Sequence, residues 1–295
     1  IIKDKTFFFG AYQGRYLRQS STTTTTVPDT NVESGNFGAI PGLALYDPNS
    51  GNADGAGRQP FAGNVIPDNR ISPIARKLIA RFPQPNVPGL LNNYVTNVPY
   101  AYNGNSYDGR VDHYFTEQTK IFAKFNTSKY SVTQGAILGN EIGDGTVAKD
   151  YTVIASVNLT HGFSPTMLTE LRLAYNRYRP NVQGIDTKTV TNSNLGLANP
   201  NPDSISSNGM ANISISGMPG IGTPVYYPLV NTDNLFEAVD TWSKISGKHV
   251  FKWGAEIHRN RMDRFQPQGL GLGPRGLFQF NPGTTQLPGG PGLGA

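Results

Sequence analysis

The 295-residue sequence contains no cysteine, which excludes a disulfide framework, a thiolate metal site and a cysteine nucleophile. It also has no run approaching ~18 consecutive apolar residues, so a transmembrane helix is excluded. Charged residues make up only 15%, and the net charge of +5 comes from lysines and arginines that are scattered along the sequence. Nucleic-acid binding needs a basic stripe with interleaved aromatic residues, and we therefore expect no nucleic-acid partner.

The sequence is rich in glycine and proline, with 34 and 22 residues, and aromatic residues make up 11% of it. This composition favours strands and loops over helices. Seven runs have the character of strands: 5–16, 107–115, 119–130, 150–162, 167–178, 234–245 and 249–261. The connections between them alternate between long and short: 17–106, 116–118, 131–149, 163–166, 179–233 and 246–248. The alternation predicts an all-β fold, an antiparallel up-and-down transmembrane β-barrel with short periplasmic turns and long extracellular loops.

The run 150–162 shows the strand pattern most clearly. Apolar residues occupy one parity from Tyr151 to Phe163, while the other carries Thr, Ser and Asn, with Ile154 and His161 as exceptions. A span of about twelve steps of ~3.3 Å covers roughly 40 Å, or roughly 28 Å along the membrane normal at a tilt of about 45°. That is close to the ~25 Å apolar band of outer-membrane barrels, whereas soluble strands are about half as long. The pattern predicts one face toward lipid, bounded by aromatic residues at both ends, and one face toward a wet lumen.

The long connections are dense in Gly, Pro, Asn and Asp, and we predict that each is a loop with too few apolar residues for its own core. The polar run 20–26 is included in the first of them. One helix is predicted there, with Ser72 as N-cap, Pro73 at the first position and Pro83 after its end. Its apolar face consists of Ile74, Leu78 and Phe82. A helix of about ten residues is marginal alone, so we expect it to pack within the loop; a membrane-surface position is the alternative.

No pattern of a catalytic site is present, and we expect neither enzyme activity nor a cofactor. The segment 269–274 (GLGLGP) lacks the strand-to-helix frame of a phosphate-binding loop, and no serine lies in a GxSxG motif. The neighbours Asp112 and His113 point to opposite faces of a strand, which argues against a catalytic pair. None of the four histidines has a metalloprotease spacing: His113, His161, His249 and His258.

Two features leave metal binding as an alternative interpretation. Glu256 and His258 lie two positions apart along a strand, so their side chains share a face. We interpret them as a solvated lumen pair rather than a metal site. The acidic, glycine-rich segments 49–54 and 140–150 leave calcium binding open, although neither matches the EF-hand pattern.

Several stretches resemble a known family. They are KDKTFFFGAYQGRYLRQ (3–19), TVPDTNVESGNF (26–37), LYDPNSG (45–51), PFAGNVIPDNRISPIARKLIARFPQPN (60–86), NNYV (92–95), YDGRVDHYFTEQTKIFAKF (107–125) and WSKISGKHVFKWGAEIHR (242–259). In this order, and across nearly the whole chain, they resemble the barrel portion of Oar-like TonB-dependent receptors. These are outer-membrane proteins of Gram-negative bacteria in which a regulatory domain and a plug precede the barrel.

The resemblance implies a location in the bacterial cell outer membrane, with outer-membrane lipid as one partner. It also implies uptake of an unknown extracellular ligand, such as a siderophore, glycan or peptide, energised by the TonB-ExbB-ExbD system through the plug. The chain 1–295 is then part of a barrel of about 22 strands, with the plug and the N-terminal regulatory domain outside it. The expected extracellular loops are 17–106, 131–149, 179–233 and 262–295, and Tyr226 and Tyr227 are candidate ligand-binding residues in the third.

Two other functions remain as alternatives at this point. One is an outer-membrane component used for adhesion or protein export, without uptake of a small ligand. The other is a soluble secreted β-protein, such as a glycan-binding domain. Strands of about five or six residues around a buried two-sheet core would favour the soluble protein, whereas long strands favour the membrane.

Overall fold

A computed structural model describes residues 2–185, 190–198, 209–267 and 273–290. The strands of these residues are β1 (Thr6–Thr25), β2 (Tyr94–Tyr114), β3 (Thr119–Gln134), β4 (Thr146–Ser164), β5 (Met167–Gly184), β6 (Asn212–Ile215), β7 (Leu229–Ser246), β8 (His249–Phe265) and β9 (Leu277–Phe280). Seven of them form one antiparallel sheet in the order β1-β2-β3-β4-β5-β7-β8, while β6 and β9 pair in parallel. The predicted all-β fold and the order of its long strands are confirmed. No helix in this part of the chain is long and apolar enough to cross a membrane.

Short and long connections alternate along the sheet as predicted. The short ones are 115–118, 165–166 and 247–248, and the long ones are 26–93, 135–145 and 185–228. Parts of the predicted loops 179–233 and 262–295, and of the glycine-rich segment 269–274, lie outside the described residues. All short turns lie at one end of the sheet, hereafter the short-turn end, and all long connections lie at the opposite, long-loop end.

The strands are longer than the sequence predicted, and most of the additional residues lie at the long-loop end. The predicted loop 17–106 was wrong at both ends, because Leu17 pairs with Tyr102 and Thr25 with Tyr94. The polar run 20–26 is therefore strand for most of its length. Threonine is β-branched and suits a strand on either face. Where both faces meet water, the alternation of apolar and polar residues is lost, and with it the sequence signal.

In the seven-stranded sheet, strand lengths run from 16 residues in β3 to 21 in β2. At about 3.3 Å per residue and a tilt of about 45°, these strands cover roughly 35–50 Å along the membrane normal. The apolar band of an outer-membrane barrel is only ~25 Å tall. The sheet is therefore long enough to cross the band and to continue well beyond it.

The register of the sheet separates an apolar face from a polar one. Directly opposed residues on seven successive strands form one wholly apolar row: Phe8, Val111, Ala123, Val157, Leu173, Ala238 and Ile257. The adjacent row on the other face is mostly polar: Phe9, Arg110, Lys124, Ser156, Ala174, Glu237 and His258. Phe8 and Ile257 are each 70% exposed. An apolar surface of this extent is not maintained in water, whereas lipid covers it.

Aromatic residues bound the apolar face at both ends, as predicted. Near the short-turn end, the ring of Trp242 stacks with those of Phe163 at 5.2 Å and Trp253 at 6.2 Å between centroids. Toward the long-loop end the pairs are Tyr12–Tyr107 at 5.1 Å and Tyr175–Phe236 at 5.0 Å. Such aromatic girdles mark the two interfaces of a membrane.

One acidic residue, Asp240, lies on the apolar face between these girdles. Its carboxylate accepts hydrogen bonds from Thr169 Oγ1 at 2.7 Å and from Trp242 Nε1 at 2.8 Å. Each carboxylate oxygen thus has a donor, which offsets much of the cost of removing the charge from water. The hydrogen bonds from Thr169 and Trp242 therefore stabilise Asp240 on the apolar face.

The long connections pack together into one structure, hereafter the cap, formed by residues 26–93, 135–145, 190–198, 209–228 and 273–290. Its short helices are α1 (Thr30–Glu33), α2 (Pro73–Ile79) and α3 (Asn192–Leu195). The buried core residues come from three separate connections: Val27, Leu78, Phe82, Leu138, Ile142, Val190, Leu195, Met210, Ile213 and Ile221. No connection supplies a core alone, in agreement with the sequence, but together they share one.

Helix α2 confirms the predicted helix and its docking within the loops. The Ser72 hydroxyl accepts a hydrogen bond from Ile74 N at 3.3 Å, and Pro73 occupies the first helical position. The helix ends at Ile79, earlier than its apolar pattern suggested. Leu78 and Phe82 are nevertheless both buried in the cap core. The alternative of a membrane-surface helix does not hold.

Candidate functional site

The predicted ligand-binding residues Tyr226 and Tyr227 lie on the surface of the cap, just before β7. Tyr226 is 57% exposed, and Tyr227 is half-buried beside it. Their rings meet edge to face, with centroids 5.9 Å apart and planes at 88°. An exposed ring held by a neighbouring ring offers a flat, rigid surface for stacking against a sugar or an aromatic group. The structure thus places the pair where a ligand has access.

A buried arginine, which the sequence did not indicate, hydrogen-bonds to the backbone of the segment that carries the two tyrosines. Arg275 is 3% exposed, and its Nη2 donates hydrogen bonds to Pro224 O at 3.1 Å and to Tyr227 O at 2.6 Å. Burial lowers the pKa of Arg275 to about 10, so the group remains charged at neutral pH. The charge-assisted bonds hold the backbone of the tyrosine pair in one conformation.

Buried asparagine side chains stabilise the cap by accepting a hydrogen bond from one backbone group and donating one to another. Asn93, 1% exposed, accepts from Val27 N at 2.8 Å and donates to Val27 O at 2.9 Å. Asn192 likewise accepts from Ala211 N at 2.7 Å and donates to Arg275 O at 2.9 Å. An amide side chain has the donor and acceptor of a peptide group, so it satisfies buried backbone where no strand or helix does. These bonds make the cap a preformed surface.

A second part of the cap is stabilised by an ion pair and by hydrogen bonds from an arginine. Asp47 and Arg70 form a bidentate ion pair, with nitrogen–oxygen distances of 2.7 and 2.8 Å. The Arg70 guanidinium, followed by the Asn49 backbone amide, holds the pKa of the Asp47 carboxyl below its ordinary value. Arg58 Nη1 crosses to the segment after β9 and donates to Gly283 O at 3.0 Å and Gln286 O at 2.8 Å. Distant parts of the chain therefore meet in the cap.

The predicted lumen pair Glu256 and His258 lies on the polar face and is joined by Glu237 from β7. His258 Nε2 contacts both carboxylates, at 3.3 Å from Glu237 Oε2. The three ligand atoms lie within 4.8 Å of one another, an arrangement that suits a divalent cation. Arg172 Nη2, however, is 2.6 Å from Glu237 Oε1 and already supplies a positive charge. Glu237 therefore joins Arg172, Glu256 and His258 in one charged cluster on the polar face.

Two of the three remaining histidines lie close to a side chain of the adjacent strand. His113 and His161 lie on the apolar face, where Nδ1 of each is 2.8 Å from a threonine hydroxyl of the adjacent strand. Asp112 instead points to the polar face and forms an ion pair with Arg110 at 2.6 Å. Among the described residues, the segments 49–54 and 140–150 bring no three histidine or acidic side chains within ligand distance of one another.

These features together define the class of the protein. Long antiparallel strands, one continuous apolar face with aromatic girdles and one charged face are the structure of an outer-membrane β-barrel. The chain belongs to the outer membrane beta barrel domain family, whose sequence model matches residues 1–293. No curated protein and no solved structure matches the chain significantly. Membership confirms the predicted location in the bacterial outer membrane, and with it the lipid partner.

Proposed function

We propose that the protein is a receptor that takes up an extracellular ligand by TonB-energised transport and is not an enzyme. The observation that carries this proposal is the cap, because loops that share a core and are fastened by buried hydrogen bonds form a preorganised recognition surface. The charged face below it suits a water-filled passage. The resemblance to Oar-like TonB-dependent receptors supplies the energy source, the TonB-ExbB-ExbD system, and the ligand class of siderophore, glycan or peptide.

We also propose that further strands complete the barrel. Within the described residues, β1 and β8 are each paired along one side only. A lipid environment offers no hydrogen bonds to an open edge, so the backbone groups of both edges need partners. The 22-stranded transporter barrels give the expected size, and a plug would then lie inside, against the polar face.

The orientation is tested by labelling single cysteines in intact cells, since this chain has none of its own. Long loops are expected outside, so a membrane-impermeant maleimide should label Tyr226→Cys but not Lys248→Cys in the turn between β7 and β8. Permeabilised cells should give labelling of both variants. Labelling of Lys248→Cys alone in intact cells would reverse the orientation.

Transport is tested by uptake in the strain that makes the protein. Mixtures of siderophores, oligosaccharides and peptides are offered, and their depletion from the medium is measured by mass spectrometry. One class should be depleted by the wild type but not by strains lacking the receptor or TonB. The double variant Tyr226→Ala/Tyr227→Ala should reduce uptake, while Leu91→Ala, also exposed on the cap at 72%, should not. Depletion that does not need TonB would refute the energised mechanism, and cell attachment without depletion would favour adhesion.

A further inference from the structure

The apolar face becomes basic at the long-loop end of the sheet. Along β5 the residues of this face run Leu173, Tyr175 and Arg177, and along β8 an arginine pair follows Ile257 in the same way. Six cations on four strands share this position, hereafter the basic band: Lys129, Lys149, Arg177, Arg179, Arg259 and Arg261. Arg259 lies directly opposite Phe236, in the row of the aromatic girdle, and the other five cations lie beyond that row toward the long-loop end.

The basic band carries little opposing charge. On this part of the described face Asp263 is the one acidic side chain, and its Oδ2 is 3.3 Å from Arg261 Nε. The nearby carboxylates of Asp150 and Asp233 belong to the opposite, polar face by the register of their strands. The excess of positive charge is therefore specific to the lipid-facing side.

A groove of about 490 Å³ marks the densest part of the band, between β5, β7 and β8. Tyr175 and Phe236 form its apolar part, and Arg177, Arg259 and Arg261 surround them. Thr232, Asn234 and Asp263 complete the lining. Asn234 Oδ1 accepts from Tyr175 Oη at 2.8 Å and from Arg177 Nη1 at 3.4 Å, and so fixes both side chains.

A second, smaller group of cations continues the band on β3–β5. Lys129, Tyr151 and Arg179 are directly opposed on these strands. The Lys129 ammonium lies 5.2 Å from the centroid of the Tyr151 ring. Lys149 follows Tyr151 on the same face of β4. The pattern of an aromatic ring with cations beyond it thus repeats across the sheet.

We propose that the basic band, with the groove as its main site, binds the phosphate groups of the phosphorylated glycolipid in the outer leaflet. The apolar rows below the groove accept acyl chains, and the aromatic girdle marks the level of the headgroups. Arginine forms paired, charge-assisted hydrogen bonds with phosphate oxygens. A free anion would not need an adjacent lipid-facing surface, whereas a phosphorylated lipid matches both halves of the site.

This proposal rests on the proposed orientation, with the long-loop end outward, and not on transport. Binding to the purified protein does not depend on how the protein is inserted. A failure of the cysteine-labelling experiment therefore remains distinguishable from a failure of lipid binding.

The test is native mass spectrometry of the whole protein in detergent, titrated with bis-phosphorylated lipid A. Parallel titrations use dephosphorylated lipid A, phosphatidylcholine and inorganic phosphate. The wild type should bind the bis-phosphorylated lipid in preference to both other lipids. The variant Arg177→Gln/Arg259→Gln/Arg261→Gln should bind it at least about tenfold more weakly, since hydrogen bonds to charged groups are among the strongest in proteins.

The matched control is Lys124→Gln/Lys252→Gln/Arg264→Gln, which removes the same charge from the polar face and should bind like the wild type. The variant Asp263→Asn removes the opposing acid and should bind a few-fold more tightly, which keeps the test informative if the triple variant misfolds. Equal loss in both triple variants, or unchanged binding in both, would overturn the proposal. Competition by inorganic phosphate at the affinity of the lipid would also overturn it, because the site would then be one for free phosphate.

Discussion

Replacing Val157 by lysine tests the assignment of the two faces most directly. Val157 lies in the apolar row, midway between Tyr151 and Phe163 on β4, with Ala123 and Leu173 opposite on the neighbouring strands. A lysine on the lipid face costs about 2–4 kcal/mol at the midplane but only about 0–1 kcal/mol near an interface. We therefore expect Val157→Lys to reduce the folding equilibrium constant roughly 30- to 700-fold, and Tyr151→Lys to reduce it far less.

Two companion variants separate the cost of the lysine charge from the cost of losing the valine side chain. Asn158→Lys places the same charge one residue along, on the polar face, and should be nearly neutral. Val157→Ala removes the apolar contact without adding charge and should cost about 1–2 kcal/mol, which is subtracted from the effect of the lysine. Folding of the whole protein into lipid vesicles is followed at graded urea concentrations.

Tryptophan fluorescence provides the signal for that titration. Both tryptophans of the chain, Trp242 and Trp253, lie on the apolar face near the short-turn end. Their emission should shift to shorter wavelength on insertion, while the heat-dependent mobility of the folded barrel gives an independent reading. Equal destabilisation by Val157→Lys and Asn158→Lys would refute the division into a lipid face and a wet face.

Three further predictions concern the sheet and the cap. Gly254→Ala should destabilise the sheet, because the added Cβ would lie 2.4 Å from a backbone carbonyl oxygen of β7. Gly109→Ala should be tolerated, since the nearest atom to its Cβ is 4.0 Å away. Urea titration compares the stabilities of the two variants. Asn93→Ala leaves two buried backbone groups without partners, should cost the cap about 2–4 kcal/mol, and should speed limited proteolysis of the cap in folded protein. Because the folded pKa of Asp47 is lowered, its pair with Arg70 stabilises above the unfolded pKa of about 3.9 and is lost as pH falls through the folded value. Pepsin sensitivity should rise in that acid range in the wild type but not in Asp47→Asn, and an unchanged profile in both would contradict the assignment.

The sequence predicted the strands best where the membrane constrains them. Between the girdles, lipid on one side and water on the other require alternation, so runs such as 150–162 were identified at nearly their true place. Beyond the girdles no such requirement exists. The pairing of Thr25 with Tyr94 is decided by continuation of a ladder already formed, and a polar strand of this kind has the composition of a loop.

The cap and the basic band were not predictable, because both depend on contacts between distant segments. Ile142 and Ile221 are completely buried, yet their neighbours in the sequence are glycines and polar residues without a period. Arg177 and Arg261 are 84 positions apart, and only the register of β5, β7 and β8 brings them to opposite sides of Asn234. Scattered cations in a sequence thus become a patch once strands are aligned.

The continuation of the strands beyond the apolar band has a mechanical consequence. In the proposed orientation the sheet forms a stiff collar, roughly 10–25 Å tall by the lengths given above, that carries the cap above the lipid surface. Tyr226, exposed on the cap, then lies well above the lipid surface rather than at its level. Because the cap core joins the connections that follow β1, β3 and β5, lowering the cap as one unit would require matched removal of residues from all three strand pairs, β1–β2, β3–β4 and β5–β7.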